Sequence, residues 1–262
     1  MNKLCLNVKK TNFMVFCAKN KKYSADDLCV TVDNVTVNQV FETKFLGVYI
    51  DSKLNWTTHI KHVACKISKN IGIITRARKF LNKKTLTGLY YTFIYPYLNY
   101  CCTVWGTAPE THLKKLHILQ KRIIRIIAGK PRLYPSENLF KSLRILPIQS
   151  LNTFKLSVFC HKWKCNLLPN IFSSFITYEE DFHEYNTRIA HNRISHLLYL
   201  PKNRTVYADN SVRYQAPLTW NNLSPELHYK DEKSFKYDLF LIFVCKYYLV
   251  SHELKLLSLC LC

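Results

Sequence analysis

The side chains that could hold a metal or move a proton are few in this sequence and poorly spaced for either purpose. Tyr23-Ser-Ala-Asp-Asp27 sets two carboxylates side by side, the kind of pair that can share a divalent cation. Its surroundings nevertheless read as those of an exposed turn between strands. Tyr207-Ala-Asp-Asn210 offers a single carboxylate, and Glu179-Glu-Asp181 and Asp231-Glu232 read as solvated faces or turns. Cys160, His161 and Cys165 could supply three zinc ligands but lack a fourth nearby. His183, His191 and His196 have the surroundings of surface or packing histidines. No Ser/His/Asp set and no glycine-rich phosphate loop stands out. The eleven cysteines are odd in number, contain no Cys-x-x-Cys pair and follow no signal peptide; Cys101 and Cys102 are adjacent. They read as reduced, mostly buried thiols of an intracellular protein that is not secreted.

Charge points more firmly. Thirty-eight Lys and Arg face 17 Asp and Glu, a net +21. Such an excess favours a polyanionic partner, nucleic acid first and an acidic membrane surface second. Seventeen tyrosines could add stacking faces. The most apolar run, Leu239 to Val250, is interrupted by Lys246 and too short to span a bilayer, so no membrane partner is expected. The cations best placed to meet phosphates are Lys114, Lys115, Lys121, Arg122 and Arg125, which ride beside an apolar helical stripe; Lys61, Lys66 and Lys69 stand equally well beside another. The alternative is a non-enzymatic helical interaction module whose basic face serves only solubility.

The elements that would position these groups change character near residue 54. Before it, β-branched runs around Asp33-Asn34 predict a hairpin, and Phe45-Leu-Gly-Val-Tyr-Ile50 predicts a strand whose Gly47 admits a close backbone. Together they predict a small antiparallel sheet of three or four strands. Asn55 stands at an N-cap position. Ile60, Val63, Ala64, Ile67, Ile71 and Ile74 then recur at helical spacing up to a break at Asn82-Lys-Lys-Thr85. A helix from Leu86 is split at Pro96, and another spans Glu110–Ala128, closed by Gly129 and Pro131. Leu146-Pro147 opens a helix through Leu168 with Phe154, Val158, Phe159 and Trp163 as bulky core groups, and Ser234–Tyr248 forms a last one. The fold class is α+β, mostly α.

Several of these stretches, in this order, resemble the reverse transcriptases of non-LTR (LINE-like, jockey- and CR1-type) retrotransposons. Leu6-Asn7-x-x-Lys10-Thr11 with Phe13-Met-Val-Phe16 resembles a late palm motif, and Phe45-Leu-Gly-Val-x-Ile-Asp51 with Leu54, Trp56, His59 and Ile60 resembles the palm–thumb junction. Tyr95-Pro-Tyr-Leu98, Val104-Trp-Gly106, Gln120-Lys-Arg122 and Gly129 continue a thumb pattern. Tyr185-Asn-Thr-Arg188, Ser211-Val-Arg-Tyr214 and Trp220-Asn-Asn-Leu-Ser-Pro-Glu-Leu227 resemble the segment that follows the polymerase. The resemblance implies the end of a palm over 1–54, a helical thumb over 55–130 and a helical post-polymerase region over 131–262. It implies that Lys10 lies near the incoming nucleotide's phosphates, that Phe45, Leu46 and Gly47 support the primer end, and that the partner is an RNA/DNA template–primer duplex. In such polymerases two Mg2+ ions are held by aspartates on strands that precede the lysine motif. Only about six residues precede it here, so the chain reads as a truncated fragment without the catalytic aspartates, requiring no metal of its own.

Overall fold

The β-rich beginning gives way to helix where Asp51 turns its carboxylate back on the chain. Oδ1 accepts the backbone N–H groups of Lys53 and Asn55, each at 3.1 Å, and Oδ2 accepts that of Trp56 at 2.9 Å. Leu54 and Trp56 take left-handed conformations in this loop, and the Trp56 carbonyl receives the first helical hydrogen bond, from Ile60. The expected cap at Asn55 is therefore not formed. A carboxylate four residues upstream satisfies the loop's donors, and Asn55 contributes only its backbone N–H.

The computed structural model describes residues 7–16, 28–179 and 197–259, except for the side chains of Lys9 and 246–259. Tyr23–Asp27, Glu180, Asp181, His183, Tyr185–Arg188, His191 and His196 lie outside the described residues. The chain divides into two compact units, Met1–His62 and Val63–Cys262.

In the first unit the described strands pair two by two. β1 (Asn12–Phe13) runs parallel to β4 (Asn38–Gln39), while β2 (Thr31–Val32) pairs antiparallel with β3 (Val35–Thr36) and β5 (Glu42–Phe45) with β6 (Val48–Asp51). The expected single antiparallel sheet is not formed, because β4 is taken up by a strand from far earlier in the chain instead of extending the meander. The Asp33-Asn34 hairpin forms as expected, with φ of 49° and 61°. These are the two positive dihedrals that a two-residue turn needs to match strand twist. Leu46 (φ 44°) and Gly47 (φ 85°) make the same turn, with Phe45 opposite Val48. Phe45–Ile50 is thus two strands and not one. Gly47 supplies the positive φ that this turn needs.

The helices follow the predicted spacing closely. α1 (Thr57–Ala77) buries Ile60, Val63, Ile67, Ile71 and Ile74. Asn82 caps α2 (Lys83–Phe93), its Oδ1 accepting the Thr85 N–H at 2.9 Å, and Pro96 lies in the first turn of α3 (Tyr95–Asn99). After the short α4 (Cys102–Trp105), α5 (Glu110–Ile127) ends as Gly129 and Pro131 foretold. Gly129 is left-handed, its N–H meets the Ile126 carbonyl at 3.2 Å, and the Lys130 N–H meets that of Arg125 at 2.9 Å.

α6 (Glu137–Leu143) leads to α7 (Ile148–Lys164), which stops short of Leu168. Asn166 turns left-handed and the Leu167 N–H returns to the Lys162 carbonyl, closing the helix before Pro169 is reached. Beyond it come α8 (Val206–Asp209), α9 (Val212–Asn221), α10 (Pro225–His228) and α11 (Glu232–Leu259), the last longer than its predicted span. No described helix is long and apolar enough to cross a membrane.

α7, α9 and α11 enclose a core of Leu156, Cys160, Trp220, Phe235 and Leu239. Phe154, Val158, Phe159 and Trp163 pack half-buried around this core instead of filling its middle. Asn221 closes one flank. Its Oδ1 accepts the Leu198 N–H at 2.9 Å and its Nδ2 donates to the Leu198 carbonyl at 2.8 Å, while Tyr178 and Leu198 form an antiparallel bridge. The described chain is mostly helical with small sheets, the α+β class expected.

Candidate nucleic-acid interface

α5 sorts its residues by chemistry around its axis. At about 100° per residue, Lys114, Lys115, Lys121, Arg122 and Arg125 all fall within an arc of about 120°. Leu116, His117, Gln120, Ile123, Ile124 and Ile127 are buried on the opposite side. Lys114, Lys115 and Arg122 are exposed and Lys121 and Arg125 half-buried, so the five expected cations share one surface. At its centre stands Ile118, 57% exposed. Arg125 is also a structural tie, because its Nε donates to the Tyr134 carbonyl at 2.7 Å and pins the loop after the helix. Lys130 lies over the Tyr134 ring, 5.0 Å from its centroid.

The stripe belongs to a wider electropositive stretch. From Ser52 to Ser136 the sequence holds sixteen Lys and Arg and a single carboxylate, Glu110. Lys61, Lys66 and Lys69 are exposed on α1. The ion pairs Lys162–Glu232, Lys230–Asp238 and Lys236–Glu232 all lie outside this stretch, on the C-terminal side. With so few acids in its own sequence, the stretch has almost no local means of neutralising itself. Its field extends about one Debye length, ~8 Å, at physiological salt.

What holds the stripe in place was not evident from residue spacing. Gln120 is 1% exposed and makes three hydrogen bonds: Nε2 donates to the Tyr90 hydroxyl (2.9 Å) and the Leu146 carbonyl (2.8 Å), and Oε1 accepts the Ile148 N–H (2.9 Å). One side chain thus ties α5 to α2 and to the start of α7. Gln120, read from the resemblance as part of a thumb motif, is a core residue, whereas its neighbours Lys121 and Arg122 face outward. Beside it, His117 stacks on Phe140 with 5.9 Å between centroids. Burial, aided by the nearby Lys121 charge, lowers its pKa from 6.5 to about 4. His59 is likewise lowered to about 4 by burial and then by His62, and its Nδ1 accepts the Tyr49 N–H at 3.4 Å.

The remaining expected site residues lie in the first unit. Lys10 is exposed at the end of a 3-10 turn, Val8–Lys10. Phe45, Leu46 and Gly47 form the tip of the β5–β6 hairpin, with Phe45 60% and Leu46 74% exposed.

Among the described residues no three His, Cys, Asp or Glu stand close enough to hold a metal. The Asp51 carboxylate is committed to three backbone donors, and Glu42 accepts the Thr58 hydroxyl at 2.8 Å. The zinc candidate fares no better. His161 donates through Nε2 to the Lys230 carbonyl (2.8 Å), Cys160 is buried, and Cys165 Sγ lies 3.8 Å from His161 Nδ1.

The chain is 24% identical over 147 residues, 55% of its length, to a probable RNA-directed DNA polymerase from transposon X-element of Drosophila melanogaster. It is 29% identical over 130 residues, 48% of its length, to the RNA-directed DNA polymerase from mobile element jockey of Drosophila funebris. The chain is similar to non-LTR retrotransposon RNA-directed DNA polymerases. A probable RNA-directed DNA polymerase from transposon BS of Drosophila melanogaster matches over 139 residues at 23% identity. The matched part covers 16%, 13% and 15% of these three relatives, so the chain spans only a small share of their length. No family model matches the chain. No solved structure matches it either.

Proposed function

We propose that this chain is the part of a retrotransposon RNA-directed DNA polymerase that grips the template–primer, and that it does not itself add nucleotides. The observation that carries this reading is the run of sixteen cations against one carboxylate from Ser52 to Ser136, with five of the cations on one face of α5. A helix face of this kind meets phosphates through charge and is indifferent to base sequence. In this reading residues 1–54 end a palm, 55–130 form the thumb and 131–262 the region that follows the polymerase. Lys10 faces the nucleotide phosphates, and the Phe45–Leu46–Gly47 tip rests against the primer end. The only adjacent aspartates, Asp26 and Asp27, come after the lysine motif instead of before it.

Fluorescence anisotropy with a labelled RNA/DNA duplex tests the grip. The logarithm of the binding constant should fall linearly with that of salt concentration, with a slope of about −0.9 per phosphate neutralised. Lys114→Glu with Arg122→Glu should weaken binding and flatten the slope by about 2. Absence of binding at low salt, or a slope unchanged in the double variant, would overturn the assignment of this face. Primer extension by the purified chain with Mg2+ and nucleotides would overturn the non-catalytic part.

A further inference from the structure

Three aromatic side chains stand on the surface beside the core of the α2–α3 segment. Phe93, Tyr97 and Tyr100 are 38%, 37% and 51% exposed. Their spacing of four and then three residues puts them on one helical face. Ile94, between α2 and α3, keeps right-handed helical dihedrals (φ −111°, ψ −54°), so the periodicity carries across the junction. Tyr90, Ile94 and Leu98 are buried next to them and fix which side faces inward.

Both ends of this row are anchored. The Trp105 Nε1–H donates to the Tyr100 carbonyl at 2.7 Å, and the Asn70 amide of α1 donates to the Phe93 carbonyl. The second bond brings α1 alongside. Lys66, one turn before Asn70, and Lys69 are both exposed there. With a rise of about 1.5 Å per residue, the rings project at intervals of about 6 and 4.5 Å along the axis.

We infer that Phe93, Tyr97 and Tyr100 form a stacking platform for the bases of a single-stranded nucleic acid, whose phosphates Lys66 and Lys69 receive. A row of planar faces flanked by cations suits an unpaired strand, because bases already stacked inside a duplex have no free face to offer. Charge complementarity decides the occupant, since the platform lies within the stretch of sixteen cations and one carboxylate. Stacking uses the π-face that DNA and RNA share. The inference rests on the nucleic-acid reading above but uses a different set of side chains.

The test measures binding of labelled oligo(dT), oligo(U) and a duplex of equal length to the full chain. Tyr97→Leu with Tyr100→Leu keeps apolar bulk but removes the rings. It should weaken single-strand binding about 100-fold, about tenfold for each stack lost. Duplex binding should stay within about twofold of the parent chain. Tyr97→Trp should bind single strands at least as well as the parent, which a purely structural role for the ring would not produce. The tighter of the oligo(dT) and oligo(U) arms names the natural strand. Unchanged single-strand binding in a double variant that melts like the parent, or an equal loss for single strands and duplex, would overturn the platform. The two readings fail separately: loss of the salt-dependent duplex grip with ring-dependent single-strand binding intact would sink only the α5 assignment, and binding of neither probe would sink both.

Discussion

Gln120→Ala should be among the most damaging single changes in the second unit. It removes three hydrogen bonds from a site with 1% exposure. Net contributions of about 1 kcal/mol per bond give ~3 kcal/mol. The Leu146 carbonyl and the Ile148 N–H, left without this partner, raise the expected loss to about 3–5 kcal/mol. In a chain of this size that is a fall in melting temperature of about 10 °C. Denaturant unfolding followed by circular dichroism would read it as a lower midpoint at unchanged slope. Gln120→Glu refines the test. Its carboxylate can still accept from Ile148, and from Tyr90 if the hydroxyl turns, but it meets the Leu146 carbonyl as a second acceptor. The Glu variant should therefore recover stability on acidification, when protonation restores a donor. A cost below about 1 kcal/mol for Gln120→Ala, or a loss of duplex binding with stability intact, would refute the reasoning and return Gln120 to the surface.

Three further outcomes follow from the same structure. Gly106→Ala should cost about 1–3 kcal/mol. The new Cβ would sit 2.2 Å from Asn152 Nδ2 and 2.3 Å from the Cys102 carbonyl oxygen, and the bond between those two groups would be lost. Thermal melts should show only partial recovery with Asn152→Ala, since the carbonyl clash remains. Asp51→Ala should loosen the turn into α1 by about 1–2 kcal/mol, read as faster hydrogen exchange at Lys53, Asn55 and Trp56. Stability should fall as pH drops from about 6.5 toward 4. His59 and His117 are held neutral in the fold with pKa near 4 and regain about 6.5 on unfolding, so their contribution is present above 6.5 and lost below it. His117→Leu should flatten that part of the pH profile, measured by melts across the window.

Apolar periodicity made α1 and α5 legible from residue types alone, down to Ile60, Val63, Ile67, Ile71 and Ile74 and the Gly129 stop. Asp33-Asn34 announced its turn because those residues tolerate positive φ. Leu46 concealed the second turn: an apolar residue at φ 44° has no propensity signal, so the run around it reads as unbroken strand. The parallel pairing of β1 with β4 is set by contacts between distant parts of the chain, which no local pattern encodes. Gln120 escaped for the opposite reason. A polar residue at an inward position looks like an error of phase unless its three partners, thirty residues before it and up to twenty-eight after it, are already in place. The cations of α5 were legible as a set, but the extra structural duty of Arg125 was not.

The paired bonds between Asn221 and Leu198, with the bridge from Tyr178, bring two remote points of the chain together at the edge of the α7–α9–α11 core. Tyr178 and Leu198 are twenty residues apart in sequence, and Leu198 and Asn221 twenty-three. The Glu179 N–H meets the Leu197 carbonyl at 3.1 Å and the Tyr199 N–H the Thr177 carbonyl at 2.9 Å, so the bridge turns the N–H and carbonyl of Leu198 to its outer side. Asn221 meets both with one planar amide, which presents a donor and an acceptor side by side as a neighbouring strand would. The side chain thus ends the ladder that the backbone began and leaves the Leu198 edge with no open donor or acceptor on which a further strand could pair.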